Sequence, residues 1–142
     1  MQIQLLRADI TSLKVDAMAS PAANAVVHNG RASVVSGGNL LARFVIEVPV
    51  PRGEDENADA KLRDATHEAL ERADELAVAT IGLPVLGKRS LGFDTERCAR
   101  VMLRAAIDFR TRARSLQRVV FCLFGVEEYR VFEVVLKELE ES

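Results

Sequence analysis

At 142 residues the chain is the size of one ordinary domain, long enough to hide about 70 % of its unfolded surface in one core. Hydrophobic residues make up 49% and charged residues 28%, with eight Gly, four Pro and no low-complexity tract, the balance of a soluble globular protein in which no long segment need be disordered. The formal net charge of -2 argues against a general nucleic-acid binder. The start MQIQLLRADI has no leader pattern, and no stretch approaches about 18 consecutive apolar residues, so a cytoplasmic protein without membrane contact is expected.

Along the chain the apolar period alternates between about two and about 3.6 residues, the pattern of alternating strands and helices. Residues 3–6 and 16–19 read as short strands, and residues 32–36 as a weaker one. Residues 43–50 (RFVIEVPV) form a strong strand, β-branched and closed by Pro49 and Pro51, which cannot donate to a sheet ladder. The loop PRGEDENAD follows. Leu62, Ala65, Ala69, Ala73 and Leu76 recur at helical steps over 58–77, and Asp59 with Arg63 and Glu68 with Arg72 form i,i+4 pairs on the opposite, solvated face. Residues 77–86 (AVATIGLPVL) are nearly all apolar, as in a central strand covered on both sides. After the loop 87–93, Asp94 or Thr95 caps a helix whose buried stripe is Cys98, Val101 or Met102, Ala105 and Phe109. Residues 118–124 (RVVFCLF) form a second central strand ended by Gly125, and a last helix buries Tyr129, Phe132, Leu136 and Leu139. Strands alternating with helices build a parallel sheet with right-handed crossovers. Ligands in such sheets bind outside the carboxyl ends of the strands, where residues 87–93 lie.

The cysteines, Cys98 and Cys122, each stand in an apolar pattern and read as buried, reduced hydrophobes. No Cys or His cluster has metal-ligand spacing, so neither a metal nor a cofactor is expected. His28, beside the Asn29-Gly30 turn signal, has no acid or nucleophile placed near it and reads as a surface or packing histidine. Seven arginines fall between Arg97 and Arg118, with Arg97, Arg100 and Arg104 on one helix face. Because the last helix carries Glu127, Glu128, Glu133, Glu138, Glu140 and Glu141, the stripe is expected to meet that helix in the same or a neighbouring chain, or to be solvated. An anionic polymer is the other candidate.

The ordered set RADIT (7–11), VDAMASPAAN (15–24), GGNLLARFVIEVPV (37–50), ATIGLPVLGKRSLGFD (79–94) and VVFCLFGVEEYRVF (119–132) resembles the macro domain family of ADP-ribose-binding modules, some of which hydrolyse ADP-ribosyl bonds or process ADP-ribose phosphate. The resemblance covers nearly the whole chain. It implies one three-layer α/β/α domain over 1–142 with a central, mostly parallel mixed sheet. Family members begin with Gly-Asp-Ile after the first strand, the acid accepting from the adenine amino group; here Ala8-Asp9-Ile10 keeps the acid. A carboxylate only accepts, and so favours an exocyclic amine. Asp9 has a second reading as the cap of the turn at Thr11 to Leu13. The family's Asn-Ala-Ala-Asn becomes Ser20-Pro21-Ala22-Ala23-Asn24, where Asn24 aligns with the ribose-contacting Asn only if one residue is inserted. Sixteen residues separate Ser20 from Gly37 where the family places several tens, so a glycine-rich diphosphate loop and at least one helix are absent.

The second phosphate loop of the family, Ser/Gly-Thr-Gly-x-x-Gly-aromatic-Pro, is matched by Gly87, Gly92 and Phe93. Thr has become Lys88, Gly has become Arg89, Pro has become Asp94, and Ser90 and Leu91 fill the variable places. Arg89 impairs an amide cradle that needs glycine's freedom, while Lys88 and Arg89 could draw a phosphate through their side chains or simply solubilise the loop. Phe124 with Gly125 occupies the place that packs on adenine in the family, although Phe124 also reads as core.

Three functions compete: an adenine-nucleotide or ADP-ribose binder with a weakened phosphate side, a ligand-free scaffold acting through protein contacts, and an ADP-ribosyl hydrolase or phosphatase. Hydrolysis leans on the region that is altered or absent here, so no catalytic residue is assigned. The deletion also leaves apolar surface near the second strand without its cover, and a homodimer with residues 21–36 at its interface is expected.

Overall fold

The computed structural model describes residues 1–21, 32–49, 57–88 and 94–141. Asn24, His28, the Asn29-Gly30 turn and Arg89, Ser90, Leu91, Gly92 and Phe93 lie outside the described residues. The elements in chain order are strand β1 (Gln2–Leu6), a 3-10 turn (Ile10–Ser12), β2 (Ala17–Pro21), β3 (Ser33–Ser36), β4 (Phe44–Val48), helix α1 (Ala58–Glu75), β5 (Thr80–Leu83), α2 (Thr95–Phe109), β6 (Arg118–Cys122) and α3 (Val126–Glu141). The strands form one mixed sheet in the order β1-β6-β5-β2-β4-β3, parallel throughout except for the antiparallel β3–β4 pair. This is the α/β fold with a mostly parallel mixed sheet expected from the sequence.

Alternation along the strands divides the core in two. Ala17, Ala19, Ile46, Val48, Ile81, Leu83, Val119 and Phe121 face one way and pack with the apolar stripes of all three helices, including Leu62, Leu70, Met102, Leu103, Phe109 and Phe132. Met18, Val45, Val120 and Cys122 face the other way. There, among the described residues, Ile10, Leu13, Val15 and Ala42 cover them from the 3-10 turn and the segments flanking β2 and β4. The described helices thus make one full layer, and the opposite face carries a thin one.

The central strand β5 is shorter than its apolar run, for reasons at each end. Helix α1 closes with Ala77 N–H on the Asp74 carbonyl at 3.0 Å and Val78 N–H on the Ala73 carbonyl at 3.4 Å, a six-residue C-cap that puts Ala77 at φ 58 and keeps it out of the strand. At the other end Pro84 has no N–H for the ladder. The pairs expected on the outer face of α1 are not formed. Asp59 instead meets Arg97 of α2 at 2.7 Å, while Glu68 accepts from Ala32 N–H at 2.8 Å and Arg72 donates to the Ala32 carbonyl at 3.1 Å. Two side chains of one helix therefore hold both backbone groups of the residue that leads into β3.

The arginine stripe has an internal use. Helix α2 lies between α1 and α3, and Arg100 reaches Glu138 at 2.8 Å while Arg110, just after α2, reaches Glu140 at 2.7 Å, both on α3. On the α1 side Arg97 holds Asp59, and Arg112 of the following turn holds Glu71. Of the readings open for the stripe, contact with the Glu-rich helix of the same chain is realised. These exposed pairs orient the helices more than they stabilise them, because solvent screens them.

Candidate functional site

Because β1, β6, β5 and β2 run parallel, their carboxyl ends open on one edge of the sheet, and a cleft of about 310 Å³ lies there. Its wall is built from Pro21 at the end of β2, residues 84–88 after β5, Cys122 and Phe124 from the end of β6 and beyond, Ile10 of the 3-10 turn, and Glu128 in the first turn of α3. Several constraints shape this wall. Pro84 ends the ladder, Leu86 donates its N–H to Met102 Sδ at 3.4 Å and is fully buried, and Gly87 turns the chain at φ 87. That backbone region favours glycine, which accounts for Gly87 at this turn. Helix α2 then starts on Asp94, whose side chain accepts from Arg97 N–H at 2.8 Å.

Of the predicted site residues, Ile10, Gly87, Lys88 and Phe124 are brought together in the wall of this cleft. Phe124 is 78% exposed, which removes its core reading and leaves an aromatic face bare at the cleft. Gly125 follows it, and its carbonyl accepts the N–H of Tyr129, fixing where α3 begins. Asp9 stands one residue outside the lining. Its Oδ1 accepts from Thr11 N–H at 2.9 Å and Thr11 Oγ1 at 2.8 Å, so the turn cap that the sequence allowed is formed. The backbone N–H and hydroxyl of Thr11 hold the Asp9 carboxyl below its usual range, and it is an anion at neutral pH.

Six residues of the wall were not picked out from sequence as site residues: Pro21, Pro84, Val85, Leu86, Cys122 and Glu128. Cys122 gave no signal beyond its apolar surroundings, and burial pushes its thiol up to about 11, with the Asp9 carboxylate adding to the effect. Glu128 looked like one of many glutamates on an exposed helix. Only the packing of α3 beside the residue 84–88 segment puts its carboxylate in the cleft, with Oε1 3.4 Å from Lys88 Nζ. Lys88, read as a candidate for phosphate, therefore already has an anionic partner.

A family model described as Macro domain matches residues 7–102. A macro domain-containing protein of Caldanaerobacter subterraneus subsp. tengcongensis is 36% identical over 114 residues, covering 79% of this chain and 65% of that protein. A Sulfolobus acidocaldarius protein is 35% identical over 112 residues, covering 79% of this chain and 60% of that protein. The chain spans less than two thirds of the length of either relative. Among solved structures, the Oceanobacillus iheyensis macrodomain with ADP superposes at a TM-score of 0.87 and 18% identity, covering 96% of this chain and 90% of that one, and a variant of the same macrodomain was solved with ADPR. At that identity the likeness carries the fold.

Proposed function

The chain belongs to the macro domain family, and on that premise we propose that it binds an adenine nucleotide of the ADP or ADP-ribose type in the cleft at the carboxyl ends of β2, β5 and β6. The observation that carries the reading is Phe124, an aromatic side chain 78% exposed at a largely apolar cleft. A buried position would satisfy it better unless a flat partner covers it, and stacking on a base is worth about 1–3 kcal/mol. Asp9 Oδ2, which takes part in neither bond to Thr11, is the acceptor for an exocyclic amine. The phosphate side is weak, because the Lys88 ammonium is shared with Glu128. A solved macrodomain of the same fold with ADP supports the ligand class.

Thermal melts and titration calorimetry with ADP-ribose, ADP, AMP and inorganic phosphate test the reading. A ligand that binds only the folded state raises its apparent stability, so ADP-ribose and ADP should raise the melting temperature and phosphate alone should not. No heat and no shift for any adenine nucleotide would leave the scaffold reading in its place. Exposure of Val35 on the edge strand β3, and of Leu40 and Leu41 beside it, favours a homodimer through this side of the sheet. Light scattering coupled to size exclusion decides this, and a strictly monomeric mass at micromolar concentration refutes it.

A further inference from the structure

Two features of the cleft attract anions, and one carboxylate occupies both. Lys88 Nζ lies 3.4 Å from Glu128 Oε1, which joins the segment after β5 to the first turn of α3 across the cleft wall. Glu128 is the more enclosed partner, its side chain 24% exposed against 44% for Lys88. In the first turn of α3 the same carboxylate, together with that of Glu127, also takes the favourable end of the helix dipole. Close by, Asp9 adds a second negative charge, which reinforces the effect of burial in raising the Cys122 thiol.

We infer that Glu128 is a built-in counter-anion that sets the specificity of the cleft, occupying Lys88 and the amino end of α3 and so selecting against negative charge on the ligand and for its uncharged base and ribose. The inference rests on the nucleotide-binding reading above. An incoming phosphate has to displace the carboxylate from Lys88 or sit beside it. The first choice exposes an enclosed carboxylate without its partner, and the second sets like charges together. A nucleoside without phosphate meets neither obstacle. Coulomb's law in water-like surroundings makes one negative charge at about 7 Å from a doubly charged phosphate worth roughly tenfold in affinity.

The test is titration calorimetry of the full chain, wild type, Glu128→Gln, Lys88→Gln and the double variant, against ADP and adenosine at low salt, with melting curves to show that each is folded. Loss of a half-exposed ion pair leaves the fold intact. Glu128→Gln is expected to bind ADP about tenfold more tightly than wild type while its affinity for adenosine stays within about twofold, and the gain should shrink in high salt as the Debye length contracts. Lys88→Gln should weaken ADP and remove the gain in the double variant. An unchanged ADP affinity in Glu128→Gln, or an equal gain for adenosine, overturns this inference and leaves nucleotide binding standing. Absence of heat from both ligands with all four proteins overturns both.

Discussion

Asp74, at the last turn of α1, holds together the turn that leads from α2 into β6, and its removal should be costly. Its Oδ1 accepts the backbone N–H groups of Arg114 at 3.0 Å, Ser115 at 2.8 Å and Leu116 at 2.9 Å, as well as the Ser115 hydroxyl at 3.1 Å. Asp74→Ala leaves three adjacent peptide donors without this acceptor at the entry to a central strand. A hydrogen bond to a charged group contributes about 1.5–3 kcal/mol, but one carboxylate serves all three and water reaches it, so the sum is discounted to about 3 kcal/mol in total. For a domain of this size that corresponds to a drop of about 10 °C in melting temperature. Burial alone pushes the Asp74 carboxyl up, yet the N–H groups of Leu116, Ser115 and Arg114 outweigh it and hold the net value below the ordinary 3.8. A carboxyl whose folded value is depressed contributes fully above its unfolded value, and the contribution is lost as pH falls through the folded one. Urea unfolding of wild type and Asp74→Ala at pH 7 and at successive steps down to pH 3 should therefore show a large gap at pH 7 that closes on acidification. A gap below about 0.5 kcal/mol at pH 7, the size of an ordinary surface substitution, or one that persists unchanged at pH 3, would refute the reasoning.

Phe124→Ala should weaken ADP binding about tenfold while moving stability by less than about 0.5 kcal/mol, because the ring is 78% exposed; calorimetry and urea melts read the two effects separately. Ala77→Gly should stabilise the chain by about 0.5–1 kcal/mol in urea melts, since Ala77 caps α1 at φ 58, where glycine avoids the cost that a Cβ imposes. Gly37→Ala should destabilise by more than about 2 kcal/mol, because an added Cβ would stand 1.8 Å from the Ala42 carbonyl oxygen and the backbone itself would have to move. Burial pushes the thiols of Cys98 and Cys122 up to about 11, so at pH 8 the folded protein should react with a thiol reagent far more slowly than the urea-unfolded chain, and equal rates would show that the thiols are open.

Signals that act over a few residues were legible in the sequence. Period two and period 3.6 located all the described strands and helices, Pro49 and Gly125 marked ends, and the cap of α2 was narrowed to Asp94 or Thr95, of which Asp94 accepts the N–H three residues on. The order of short motifs from RADIT to VVFCLFG carried the family. Partners across the fold were not legible. Asp59, Glu68 and Arg72 have helical spacing suited to pairing with one another, yet they hold Arg97 and Ala32, because the geometry that brings those groups near is set by helix packing and not by i,i+4 spacing. Asp74 gave no sign of binding residues 114–116, some forty positions away. At the cleft the sequence supplied Lys88 and Phe124 as residue types with two readings each. The tertiary structure leaves Phe124 bare where an apolar run suggested core, and it brings Glu128 of α3 to Lys88, a contact that neither reading of Lys88 contained. Local pattern records which face of an element is apolar. Which charge meets which across the cleft depends on how α3 and the segment after β5 are placed on the sheet, and that is a property of the whole packed chain.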